Sequence, residues 1–245
     1  MTDWHRRQWE DLGRRDPYWA VLSHPGKRGG RWDREAFFAT GETEISVVVA
    51  RLDALGVAWR PGTALDFGCG VGRLSRALSE RFERVLAVDV ADAMLDEARA
   101  VNADRPNLEF LRDDGIPLGA VPDATVDLLY SNITLQHVPR PGQRACLAAF
   151  ARVLRPGGAL VFQTPARHDL GTAKGWLHRL LGNRGLNPVR SLIHGGRGVM
   201  ELHCLPRREV LAILRDGDLE VVEVVRDTAA GAGFVSYRYI ARKPE

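Results

Sequence analysis

From residue 61 onward, short apolar runs take turns with stretches of helical spacing. The runs lie at 64–67, 84–90, 107–112, 126–132 and 159–163, and Val, Leu and Phe dominate them. Runs of that length and composition read as buried strands. Between them, 74–82, 91–102 and 143–154 carry apolar residues at helical intervals; in the last these are Leu147, Phe150 and Leu154. The alternation predicts strand–helix–strand units and a parallel sheet. A helix at 207–215 follows, then strands at 219–225 and 235–241 around Gly231-Ala232-Gly233.

Residues 1–60 lack this rhythm. They predict a helix at 3–13 and an irregular link through Pro17 and His24-Pro25-Gly26. A second helix is expected at 33–39 and a third at 42–55, where Ile45, Val48, Val49, Leu52 and Leu55 share helical spacing. Five of the six tryptophans fall here: Trp4, Trp9, Trp19, Trp32 and Trp59.

The first strand leads into Asp66-Phe67-Gly68-Cys69-Gly70-Val71-Gly72 and then into a helix. Three alternate glycines let the backbone take positive φ and approach a ligand closely. The helix that follows points unsatisfied N–H groups at the same spot. The spacing is not the dinucleotide fingerprint, because Arg73-Leu74-Ser75 follows Gly72. Asp66 lies two residues before the first glycine. A carboxylate there suits a cationic ligand group better than a pyrophosphate. Asp89 ends the second run, 17 positions after Gly72. An acid at that strand end can accept both ribose hydroxyls of an adenosine group. It could also cap the helix at 91–102, although Asp92 is better placed for that.

The stretch resembles motif I of the class I S-adenosylmethionine-dependent methyltransferases, whose acid and glycines match Asp66, Gly68, Gly70 and Gly72 one for one. Ala91-Asp92-Ala93-Met94-Leu95, the strand at 126–132, Ile133-Thr134-Leu135-Gln136-His137-Val138-Pro139 and the Pro156-Gly157-Gly158 turn resemble later elements of that family. The resemblance implies an α/β fold: a doubly wound, mostly parallel, Rossmann-like seven-stranded sheet with an antiparallel last strand. It implies S-adenosyl-L-methionine as cofactor and S-adenosyl-L-homocysteine as product. The expected cofactor site is Asp66, Gly68, Cys69, Gly70, Gly72, Asp89, Val90, Met94, Asp113, Asp114, Gly115, Ser131 and Asn132. Met94 would pack on the adenine or equally serve as a core residue, with Asp114 or its neighbour Asp113 near the adenine amino group. His137 is the candidate general base, with His168, His194 and His203 as other candidates. Such a base adds about 10²–10⁴-fold when the acceptor is a hydroxyl.

The organisation expected is a helical cap at 1–60 and a cofactor-binding domain at 61–245, with 166–205 as a basic insertion or lid. Phe37-Phe38-Ala39-Thr40-Gly41 is the part of the cap expected nearest the ligand. The insertion holds six Lys or Arg against two acids, a formal +4, which leaves −1 for the rest of a chain of net charge +3. It also carries His168, His178, His194 and His203, in no familiar metal spacing.

The other bounds come from composition. At 245 residues and 45% hydrophobic, the chain can bury one large core. Three cysteines (Cys69, Cys146 and Cys204) make neither a disulfide framework nor a zinc spacing. No apolar leader follows Met1 and no run reaches membrane-span length, so a cytoplasmic protein is expected. A net charge of +3 does not demand a nucleic-acid partner. The first reading is a methyltransferase acting on oxygen, or nitrogen, of a small-molecule or glycan acceptor. An RNA or protein methyltransferase docking through the insertion, and a catalytically silent cofactor-binding scaffold, stand beside it. No Asn-Pro-Pro-aromatic motif follows the fourth strand, where Ser131-Asn132-Ile133-Thr134 stands instead.

Overall fold

A computed structural model describes residues 3–113, 115–193 and 199–245. Among these residues seven strands form one sheet: β1 Thr63–Phe67, β2 Arg84–Asp89, β3 Leu108–Arg112, β4 Val126–Ser131, β5 Leu154–His168, β6 Glu220–Asp227 and β7 Phe234–Arg242. Their spatial order is β3-β2-β1-β4-β5-β7-β6. Strands β1 to β5 run parallel, and β7 lies antiparallel between β5 and β6. The order reverses at β1 and β4, the topological switch point at which such sheets open a ligand crevice. The register brings Phe67 beside Val88 and Asp66 beside Tyr130, so the carboxyl ends of β1, β2 and β4 share one edge.

Strand alternation sorts the core onto two faces. On one, Leu65, Phe67, Val88, Leu129 and Phe162 pack with Leu147 and Phe150 of α6 (Arg140–Val153) and Leu214 of α8 (Arg207–Asp216). On the other, Ala64, Val85, Leu128 and Tyr130 pack under α3 (Arg34–Ala54), α4 (Arg73–Ser79) and α5 (Asp92–Val101), through Ile45, Val48, Leu52, Leu78 and Leu95. Fully burying each such aliphatic side chain contributes about 1.5–3 kcal/mol. A third cluster joins α1 (Asp3–Arg15) and α2 (Pro17–Val21) to the rest: Leu12, Ala20, Phe37, Phe38, Val71 and Met94.

Four local expectations change. Pro17 opens α2 instead of lying in a link, because proline is preset for the first helical position. The helices expected at 33–39 and 42–55 are one helix, α3, with Gly41 inside it. A Cβ on Gly41 would run into the Arg73 carbonyl, so glycine is retained there for close approach of α3 to α4. Strand β5 begins at Leu154 and runs through the expected Pro-Gly-Gly turn, with Gly157 at φ +73. The insertion contains α7 (Ala173–Ile193), broken at Gly182, where φ is 58 and ψ −172.

Candidate functional site

A pocket opens at the carboxyl ends of the parallel strands. Its floor is the loop after β1, with Phe67, Gly68, Cys69 and Gly70 on the wall, and the end of β2, with Val88, Asp89 and Val90. Met94, Asp113 and Gly115 line one side, and Asn132, Ile133, Thr134 and His137 line another. Gly68, Gly70 and Gly72 take φ of 79, 54 and 82, a region costly for other residues.

Asp89 sits at the pocket wall and is already a strong acceptor. Its Oδ2 takes the Gly70 N–H at 2.9 Å; its Oδ1 takes those of Val90 at 2.7 Å and Ala91 at 3.0 Å. Burial pushes its pKa up, against the pull of these three bonds. The helix therefore begins at Asp92 with Ala91 as cap residue, and it is Asp89, not Asp92, whose side chain satisfies the N–H groups before α5. Four acceptor positions on a carboxylate leave room for a further donor.

Asp66 lies beneath this floor and does not itself line the pocket. It is 1% exposed, and Ser75 Oγ donates to its Oδ2 at 2.6 Å. Its Oδ1 is buried with no hydrogen-bond partner. Burial raises its pKa to about 7, with Ser75 and Arg73 opposing. An orphaned carboxylate oxygen under a glycine loop is an unmet demand for a cation or donor.

Other expected residues serve the walls from behind. Ser131 is buried and donates to the Phe67 carbonyl at 2.9 Å, tying β4 to β1. Gly72 starts α4, and a Cβ there would meet Asn102 and Phe110, not the pocket. Met94 lines the pocket and belongs to the third cluster. Asp113 faces the pocket, its Oδ1 accepting the Gly115 N–H at 2.9 Å. Asp114 lies outside the described residues, as does His194. Phe37 and Phe38 pack inward and the stretch 37–41 does not reach the pocket. The N-terminal residues that do reach it are Trp9, Ala20 and Val21. Nothing local in the sequence marks these three as pocket residues; Trp9 meets His137 and Val21 faces Gly70, both far along the chain.

Behind Asn132 stands Glu44 of α3. It accepts from Arg73 Nη2 at 2.8 Å, from the Tyr130 hydroxyl and from Asn132 Nδ2. Burial alone would raise the Glu44 pKa, but Arg73 and these hydrogen bonds hold it below the ordinary value. His137 is 8% exposed at the end of a 3-10 turn, Leu135–His137. Its Nδ1 lies 2.7 Å from the Glu201 carbonyl and its Nε2 3.2 Å from Gln136 Nε2. A carbonyl requires a donor, so Nδ1 carries the proton and Nε2 accepts from the amide. Trp9 packs edge-on against the ring at 4.9 Å. Burial pushes the His137 pKa down to about 4. Burial likewise raises Cys69 and Cys146, the latter to about 12, so neither pocket thiol is a thiolate nucleophile.

A switch-point crevice with a left-handed glycine loop, an orphaned carboxylate oxygen beneath it and an acid at the end of β2 defines an adenosyl-cofactor transferase fold. Residues 64–158 match the methyltransferase domain family. The chain is 37% identical over 205 residues to malonyl-[acyl-carrier protein] O-methyltransferase of Serratia marcescens, covering 80% of this chain and 75% of that protein. It is 40% identical over 119 residues to trans-aconitate 2-methyltransferase of Deinococcus radiodurans, covering 48% of this chain and 41% of that one. The fold is similar to that of N-methyltransferase NodS from Bradyrhizobium japonicum in complex with S-adenosyl-L-homocysteine, with TM-score 0.64, 19% identity, and 99% and 100% of the two chains covered. This chain belongs to the class I S-adenosylmethionine-dependent methyltransferases. It is an enzyme of that class, and S-adenosyl-L-methionine is its cofactor.

The residues present fit that cofactor. The orphaned Asp66 Oδ1 calls for a cation or donor, the glycine loop leaves bare backbone above it, and Asp89 has an acceptor position left. Among the described residues no helix is long and apolar enough to cross a membrane.

Proposed function

We propose that this enzyme transfers the methyl group to a carboxylate oxygen of a small acidic molecule. The observation that carries the reading is the state of His137. Both of its ring nitrogens are engaged inside the protein, one with Glu201 and one with Gln136. A hydroxyl or an ammonium acceptor must lose a proton, which needs a free base within reach. A carboxylate arrives without that proton and needs only alignment. Holding acceptor and methyl in line can supply on the order of 7–11 kcal/mol. When bound, the cofactor supplies an activated sulfonium methyl group. The two relatives agree with this reading, since malonyl and aconitate groups both bear carboxylates. The +4 insertion supplies a positive field for an anionic acceptor.

In the same reading Asp89 would hold the cofactor's ribose hydroxyls, Met94 and Asp113 would flank its adenine, and Asp66 would balance its ammonium. Gly68, Cys69, Gly70, Val90 and Asn132 line its path. Gly72 and Ser131 keep the loop and β4 in place. His137 shapes the acceptor wall. Trp9, Ala20 and Val21 contribute the roof, and Glu201 backs His137 on the acceptor side.

The test is a labelled-methyl assay with a malonyl thioester, trans-aconitate, simple amines and sugar alcohols. The expected label appears only in the acids and is released by mild alkali, as a methyl ester is. Alkali-stable label in an amine or alcohol overturns the carboxylate reading.

A further inference from the structure

One side-chain cluster lies outside the residues that line the cofactor pocket. His5 of α1, with Glu201 and His203 of the segment between α7 and α8, bring two imidazole nitrogens and a carboxylate oxygen within 4.8 Å of one another. His5 Nε2 stands 3.3 Å and His203 Nε2 3.2 Å from the same oxygen, Glu201 Oε2. His203 Nε2 is buried and makes no directed hydrogen bond, although that oxygen is so near. Two histidines and one carboxylate form a donor set suited to a borderline-soft divalent ion. Ligands about 2.0–2.1 Å from a tetrahedral zinc lie about 3.3–3.4 Å apart, close to the 3.3 and 3.2 Å that separate His5 and His203 from Glu201.

The surroundings hold these donors in place. Asn187 Nδ2 donates to Glu201 Oε1 at 2.6 Å, leaving Oε2 for the histidines. His137 fixes the Glu201 carbonyl, and the His203 N–H donates to the Gln136 carbonyl at 2.7 Å. Trp4 packs edge-on against His5 at 4.9 Å. Partners of this kind orient ligands in metal sites. Arg190 is the nearby cation. Its guanidinium donates to Asn183 Oδ1 at 2.8 Å and Asn187 Oδ1 at 3.2 Å and lies 3.4 Å from His178 Nδ1, and the Glu201 carboxylate offsets its charge.

We propose that His5, Glu201 and His203 bind one divalent transition ion of the zinc type, with a fourth position open to water. The site joins the first helix to a segment 196 residues later. Trp9, one turn further along α1, packs on His137. An ion here therefore pins the roof of the pocket to its wall, as a structural clasp.

The experiment uses the full chain without a metal-binding tag, stripped by chelator. Zinc is titrated in competition with a chromogenic chelator, and cobalt is titrated with its visible spectrum recorded. The expected result is one equivalent of zinc and a four-coordinate cobalt spectrum with no thiolate charge-transfer band. His5→Gln and His203→Gln should each weaken zinc at least about 10-fold, the loss typical even of partners to ligands. Hydrogen exchange in α1 should slow on adding zinc to the parent. Glu201→Gln is the third variant, and circular dichroism identifies which variants fold. Absence of binding, undiminished binding in the folded variants, or a thiolate band pointing to Cys204 overturns the proposal.

Discussion

Asp89 Oδ2 accepts the Gly70 N–H at 2.9 Å, so the acid that ends the second strand also holds the loop that ends the first. The sequence suggests two separate elements of a ligand site. The structure makes them one unit, braced before any ligand arrives.

Replacing Asp89 should therefore do two things. Hydrogen bonds to a charged acceptor are worth about 1.5–3 kcal/mol, so Asp89→Ala should weaken S-adenosyl-L-homocysteine roughly 10- to 100-fold. It should also lower stability without ligand, because the N–H groups of Gly70, Val90 and Ala91 lose their acceptor. Calorimetric titration and a ligand-free melt measure the two effects. A ligand-free melt identical to the parent's contradicts the bracing.

Gly70→Val meets an obstacle on the roof. A Cβ there would run into Val21 of α2, and φ is +54. A left-handed non-glycine residue costs about 1–2 kcal/mol. The melting temperature should drop by about 2–8 °C from strain alone in a chain of this size. Cofactor binding should be lost. Adding Val21→Ala should recover part of the melting temperature and none of the affinity. Full recovery of both would place the loop outside the site.

Asp66 sets a pH dependence. Burial raises its folded pKa to about 7, well above the ordinary carboxylate range of about 4. In the unfolded chain it ionises first, so its contribution is fully present below about pH 4, declines as pH rises to about 7 and is level above. The stability difference between Asp66→Asn and the parent, followed across pH, isolates this group. The variant should gain on the parent as pH rises through that window, while losing cofactor. The parent should release a proton on binding cofactor near neutral pH, visible as a buffer-dependent enthalpy. A pH-independent difference rules out the raised pKa.

Glu44 accepts from three donors, two of them on or beside β4. Removing one member of a buried ion pair costs about 3–5 kcal/mol, because the partner's charge stays buried. Glu44→Ala should show that loss in urea denaturation. Glu44→Leu with Arg73→Met should lose much less. Equal losses would mean that Tyr130 and Asn132, not the ion pair, dominate.

What the sequence could and could not disclose follows from where each signal resides. Parallel strands buried on both faces write themselves as unbroken apolar runs, so β1, β2 and β4 and the acid at Asp89 were legible. Loop glycines are legible because only they take the required φ. Gly41 was misleading for a related reason: its missing Cβ serves contact with Arg73, and tertiary approach outweighs helix propensity. The pocket's roof was illegible, since Trp9 and Val21 acquire their role only from residues far along the chain. The His5–Glu201–His203 cluster was hidden likewise, its members being 196 and two residues apart.

That roof has a consequence for the order in which contacts form. Gln8 accepts the Val199 N–H at 2.9 Å and His5 meets Glu201, contacts between residues 191 and 196 positions apart. Closing so long a loop defers the gain from it. The sheet's own pairings span far fewer residues, 83 between Ala159 and Arg242. The strands can therefore pair while the crevice is still open, and the seating of α1 against the 199–203 segment turns a crevice into an enclosed pocket.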